Sequence, residues 1–72
     1  MKISKLLKFR TQYKLSQMEL AIAARVSTSM IVAVERYGYF PGGKVRSKLS
    51  QALGVSESEI WSVEMEAAHD NN

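Results

Sequence analysis

Of the side chains that carry out covalent or metal chemistry, this 72-residue sequence holds few: a single His, His69, and no Cys. The missing thiols exclude a disulfide framework, a thiolate metal site and a Cys nucleophile, and His69 has no second ligand near it at metal spacing. Glu57, Glu59, Glu64 and Glu66 read as helix capping and a solvated face rather than as an acid and base pair. The stretch "PGGK", Pro41 to Lys44, lacks the preceding strand and the spacing of a phosphate-binding loop. No catalysis, cofactor, metal or small-molecule ligand is therefore expected. What remains is charge, and it is segregated. All ten Lys and Arg lie between Met1 and Lys48 against only Glu19 and Glu35, a net of +8. From Leu49 to Asn72 there are five acids and no Lys or Arg, a net of −5, and the whole chain carries +3. Such a division lets one face attract a polyanion.

The elements that must position this charge are short helices. Ser16 to Glu35, "SQMELAIAARVSTSMIVAVE", is mostly apolar and free of Gly and Pro, so that it reads as one helix, two helices or a membrane span. The apolar stripe of Leu20, Ala21 and Ala24 loses phase at "RVST" and restarts at Ile31 and Val34. Ser16 with Glu19 makes a capping box, and Ser27 is placed to cap a second helix, so two helices are expected. Glu19 and Arg25 would each cost roughly 2.5 kcal/mol or more near a bilayer centre, which disfavours a span. A helix over about Ile3 to Tyr13 precedes this pair, with Leu6, Phe9 and Tyr13 on one stripe. Gly38, Pro41, Gly42 and Gly43 mark a loop. A helix from about Lys44 to Leu53 follows, with Val45, Leu49, Ala52 and Leu53 on its apolar side and Gly54 as its stop. A second capping box, Ser56 with Glu59, starts a fifth helix bearing Ile60 and Trp61. The expected fold is all-α, a compact five-helix bundle in one domain over residues 1–66, with "AAHDNN" at 67–72 as a frayed tail. A chain of this size buries only about 60% of its unfolded surface, so dimerisation would help it. The N-terminus lacks the apolar core of a secretory signal, and a cytoplasmic location is expected.

Gln17, Leu20, Ala21, Val26, Ser27, Ile31, Val34 and Glu35, followed by Pro41 and "QALGVSESEI", resemble the helix-turn-helix domain of the phage repressor and Cro family, a lambda-repressor-like fold, over nearly all of residues 3 to 66. The resemblance implies double-stranded DNA as partner, with the third helix in the major groove and the second across the backbone. It points Thr28, Ser29, Val32, Ala33 and Arg36 at base edges. Gln17, Ser27 and the start of the second helix would hold a phosphate, with Lys14, Arg25, Lys44, Arg46 and Lys48 as further phosphate contacts. It implies a buried ion pair between Arg10 and Glu35, and a homodimer with Ile60 and Trp61 near the seam, although Trp61 also reads as core. A small transcriptional regulator acting at a palindromic operator is the function expected from it.

Three features depart from the family pattern. Arg25 stands in the turn where Gly is common, which implies a non-Gly residue at positive φ and a cost on the order of 1 kcal/mol. Tyr37 occupies another usual Gly position, with Gly38 one later, so the third helix is expected to run one residue longer. The reading residues Thr28, Ser29, Met30, Val32 and Ala33 include none that makes bidentate base contacts, so specificity should lean on thymine methyls, Arg36 and DNA shape. The same apolar face, with Ile22 and Met30, supports a rival expectation: a protein-binding module such as an antirepressor or accessory factor.

Overall fold

Ser4 opens the first helix, its hydroxyl accepting from the N–H groups of Leu6 (3.1 Å) and Leu7 (3.4 Å). The computed structural model describes residues 4–61, which form five helices and, among those residues, no strand. They are α1 (Lys5–Gln12), α2 (Gln17–Ala24), α3 (Thr28–Tyr37), α4 (Gly43–Leu53) and α5, spanning 57–61 at the end of the described stretch. The all-α class is thus observed. The expected extension of the fifth helix with Glu64 and Glu66, the start at Ile3, and the tail with His69 lie outside the described residues.

The apolar run from Ser16 to Glu35 is two helices. Ser16 and Glu19 form the full capping box: Glu19 N–H donates to Ser16 Oγ (2.9 Å) and Ser16 N–H to Glu19 Oε1 (2.7 Å). Ser27 Oγ caps α3 by accepting from Met30 N–H at 3.0 Å. Between these caps the chain bends by 120°. No single helix among the described residues is long and apolar enough to cross a membrane, and Leu20, Ala21, Ala24, Ile31 and Val34 from this run are buried in the core.

The first four helices end alike. At Lys14, Arg25, Gly38 and Gly54 the backbone turns left-handed, with φ between 59° and 70°. The following residue then donates back five positions: Leu15 to Arg10, Val26 to Ala21, Tyr39 to Ala33, in this case six, and Val55 to Ser50. These bonds satisfy carbonyls that a helix end leaves open. The left-handed Arg25 accords with the sequence expectation for that turn, whereas Lys14 was not anticipated. Gly38 as the cap after Tyr37 accords with the expected longer third helix.

The core is Leu6, Leu20, Ala21, Ala24, Ile31, Val34, Leu49, Leu53, Ile60 and Trp61, with Phe9, Leu15, Val26, Met30, Phe40, Val45, Ala52 and Val55 packed around it. Helix α2 packs on both α3 and α4, which is why its inward positions are small Ala21 and Ala24 beside one Leu. Tyr13 departs from its expected stripe: it is half exposed and stacks on Phe9 at 6.5 Å between ring centroids. The capping box expected at Ser56 is incomplete. Ser56 N–H and Oγ both donate to Glu59 Oε2 at 3.2 Å, but Glu59 N–H goes to the Ser56 carbonyl.

Candidate nucleic-acid interface

Successive α-helical residues are rotated by about 100°, so burial of Ile31 and Val34 turns Ser29, Val32, Ala33 and Arg36 to the opposite side of α3, flanked by Thr28 and Tyr37. Burial follows this geometry. Thr28, Ser29 and Arg36 are exposed and Val32 and Ala33 half-buried. Ser27 is exposed as well, but its hydroxyl is occupied in capping α3.

The acid of α3 points the other way. Glu35 Oε2 accepts from Arg10 Nε at 2.6 Å and Oε1 from Arg10 Nη2 at 3.0 Å, a bidentate pair with the two side chains 2% and 12% exposed respectively. Arg10 Nη1 also donates to the Leu15 carbonyl at 2.7 Å, and Gln17 Nε2 donates to Glu35 Oε1 at 3.1 Å. Arg10 and Glu35 therefore meet as the resemblance implied. The planar guanidinium suits this role, since its fork satisfies a carboxylate and a carbonyl at once. The cluster joins α1, α2 and α3 and removes the negative charge of α3 from its outer side.

Four of the expected site residues, Gln17, Arg46, Ile60 and Trp61, turn into the fold. Gln17, expected at a phosphate, is half-buried and turns its carboxamide to Glu35. The backbone N–H groups of Gln17 and Met18, which have no partner among the described residues, are what the start of α2 offers an anion. Arg46, also expected at a phosphate, is half-buried. Its guanidinium lies 4.7 Å from the centre of the Phe40 ring and Nη1 donates to the Pro41 carbonyl at 2.8 Å, so it clamps the α3–α4 loop. Ile60 and Trp61, expected at a dimer seam, are 0% and 1% exposed. That expectation is corrected: Trp61 meets Phe40 edge-on at 6.3 Å and donates from Nε1 to Ser50 Oγ (3.1 Å) and the Arg46 carbonyl (3.2 Å). An indole satisfied inside the fold has no surface left for a second copy.

Lys14, Arg25, Arg36, Lys44 and Lys48 are exposed and, among the described residues, have no acidic partner within salt-bridge distance. Helix α4 starts at Gly43, one residue before the expected Lys44, and Gly43 itself was read as loop. Gly42 caps the helix without a side-chain hydrogen bond, no acid stands in its first turn, and a side chain at Gly42 would meet nothing within 4 Å. The signal was present in "PGGK", whose glycines leave backbone donors open beside Lys44.

The rival apolar face is divided by the fold. Ile22 (71% exposed) stands one turn from Met18 (64%) on the outside of α2, whereas Met30 packs against the core. Among the described residues, no group of His, Cys, Asp and Glu could hold a metal ion. An open depression lined by Lys5, Lys8, Phe9 and Glu59 lies between α1 and α5, on elements other than α3. The chain matches no protein-family model and no curated protein.

Proposed function

We propose that the chain binds double-stranded DNA through α2 and α3 used as a helix-turn-helix, with the outer side of α3 in the major groove, and acts as a small Cro-like or repressor-like transcriptional regulator by occupying an operator. One observation carries the reading: α3 leaves Thr28, Ser29 and Arg36 exposed on its outer side while its single acid, Glu35, is turned inward and neutralised. The two short helices, bent by 120° across a three-residue turn, have the angle and connection that let one helix enter a groove while its predecessor crosses the backbone. The exposed Lys14, Arg25, Arg36, Lys44 and Lys48 give the electrostatic attraction, and Thr28, Ser29, Val32, Ala33 and Arg36 are the residues assigned to base edges. Gln17 contributes through backbone N–H groups and Arg46 through the shape of the loop. A two-fold form of the protein, which would address half-sites about 34–36 Å apart, needs a seam other than Ile60 and Trp61.

Fluorescence anisotropy with labelled duplex DNA at low and moderate salt tests the proposal. Binding that weakens steeply as salt rises is expected. No binding to duplex at low salt would refute it and favour the second reading, a protein-interaction module, for which the exposed Met18 and Ile22 pair on α2 is the supporting feature.

A further inference from the structure

We infer that the outer side of α3 recognises the C5-methyl group of pyrimidines in the major groove, so that the protein selects thymine and 5-methylcytosine alike over their unmethylated counterparts. This inference rests on the DNA-binding reading above and assigns its specificity.

The argument begins with what the face lacks. The strongest base contacts are bidentate ones from Arg or Lys to guanine and from Asn or Gln to adenine. None of these side chains occurs at positions 28, 29, 32 or 33. Arg36, also assigned to base edges, stands about 12 Å along the helix axis from Thr28, eight residues on at 1.5 Å each, and so meets a different part of the site. The first two turns of α3, the part that reaches base edges in such a motif, offer instead the half-buried methyl groups of Val32 and Ala33 and the exposed γ-methyl of Thr28.

Apolar groups distinguish a base pair in the major groove chiefly through the C5-methyl of thymine, since every other feature there is a hydrogen-bond donor or acceptor. Covering that methyl with Val32 or Ala33 removes apolar surface from water on both sides and leaves no polar atom of the protein unpaired. The hydroxyls of Thr28 and Ser29 have no internal partner among the described residues and can turn to either a donor or an acceptor, so they accept the neighbouring base without choosing it. Cytosine methylated at C5 carries the same group at the same place on the pyrimidine ring. A face that senses the methyl by contact therefore treats the two bases alike. The occupant is duplex DNA because the face belongs to a helix whose acid is neutralised and whose exposed cation, Arg36, has no acidic partner among the described residues.

The test starts from duplexes selected by the protein from a random pool. In anisotropy titrations, replacing thymine by deoxyuridine within the selected site should weaken binding about fourfold for each methyl contacted, the factor given by burial of one such group. At the same positions, 5-methylcytosine should bind more tightly than cytosine by a similar factor. Val32→Asn, checked by its melting temperature, should bind duplex DNA with the thymine-to-deoxyuridine difference reduced at one position. A selected duplex whose affinity is unchanged by deoxyuridine at every thymine would overturn methyl recognition while leaving DNA binding intact. Failure to bind any duplex at low salt would overturn both.

Discussion

With both carboxylate oxygens of Glu35 held by Arg10 and Gln17, removing that carboxylate strands a guanidinium whose side chain is only 12% exposed. Breaking one side of such a pair costs roughly 3 kcal/mol, whereas replacing both partners by apolar groups of similar volume is often close to neutral. Glu35→Ala should therefore lower the melting temperature by roughly 12 °C or more in a domain of this size, and Arg10→Met with Glu35→Leu should recover much of that loss. Equal melting temperatures for the parent and Glu35→Ala would contradict the assignment. Trp61 makes a second case. Trp61→Phe keeps most of the ring but leaves Ser50 without its indole donor, at about 1 kcal/mol for the lost hydrogen bonding plus the vacated volume, read by urea denaturation. Arg10, Glu35 and Trp61 differ in how legible they were. The ion pair was recognisable because two residue types at fixed places matched a known pattern. Trp61 was ambiguous because an apolar residue on a short helix serves core and seam equally, and only α4 supplies the Ser50 hydroxyl that settles its side. The internal partners of Arg46 were not legible because it sits in a basic run, and nothing local says that the Pro41 carbonyl and the Phe40 ring will fold over it.

At the scale of the helices, the boundaries written in local chemistry were the readable ones. Ser16 with Glu19 and Ser27 mark α2 and α3 because a side-chain oxygen three residues before a free N–H is a short-range device. Gly54 marked the end of α4 for the same reason. Lys14 was invisible, since a left-handed Lys has no signature of its own: the turn is imposed by the helices on either side. The contrast between equivalent caps gives two predictions. Gly54→Ala places a Cβ at φ 70° and should destabilise by about 1 kcal/mol. Arg25→Gly relieves the same strain and should stabilise, by up to about 1 kcal/mol after the greater freedom of the unfolded glycine is counted. Thermal denaturation reads both, and a fall in melting temperature for Arg25→Gly would show that the Arg25 side chain contributes more than its backbone costs. Ala21→Leu tests the packing of α2 against α3 and α4, where overfilling should cost about 1–3 kcal/mol.

At the scale of the whole molecule, the DNA-binding proposal sets the exposed Lys14, Arg25, Arg36, Lys44 and Lys48 against a polyanion, and counterion release would turn their number into a measurable slope. If each of the five neutralises one phosphate, log affinity should fall by about 4.5 per tenfold rise in salt, or about 500-fold between roughly 50 and 200 mM. A slope near zero would mean that these charges do not meet DNA. Two of the five, Lys14 and Arg25, are also, among the described residues, the two non-glycine residues with positive φ. Glycine at both places would fit the backbone better and would lower the salt slope by about 1.8. Such a doubly substituted protein should outlast its parent on heating and, if the DNA-binding proposal holds, release duplex DNA at lower ionic strength. On that proposal, heat tolerance and grip on a nucleic acid are set against each other at the same two turns of the chain.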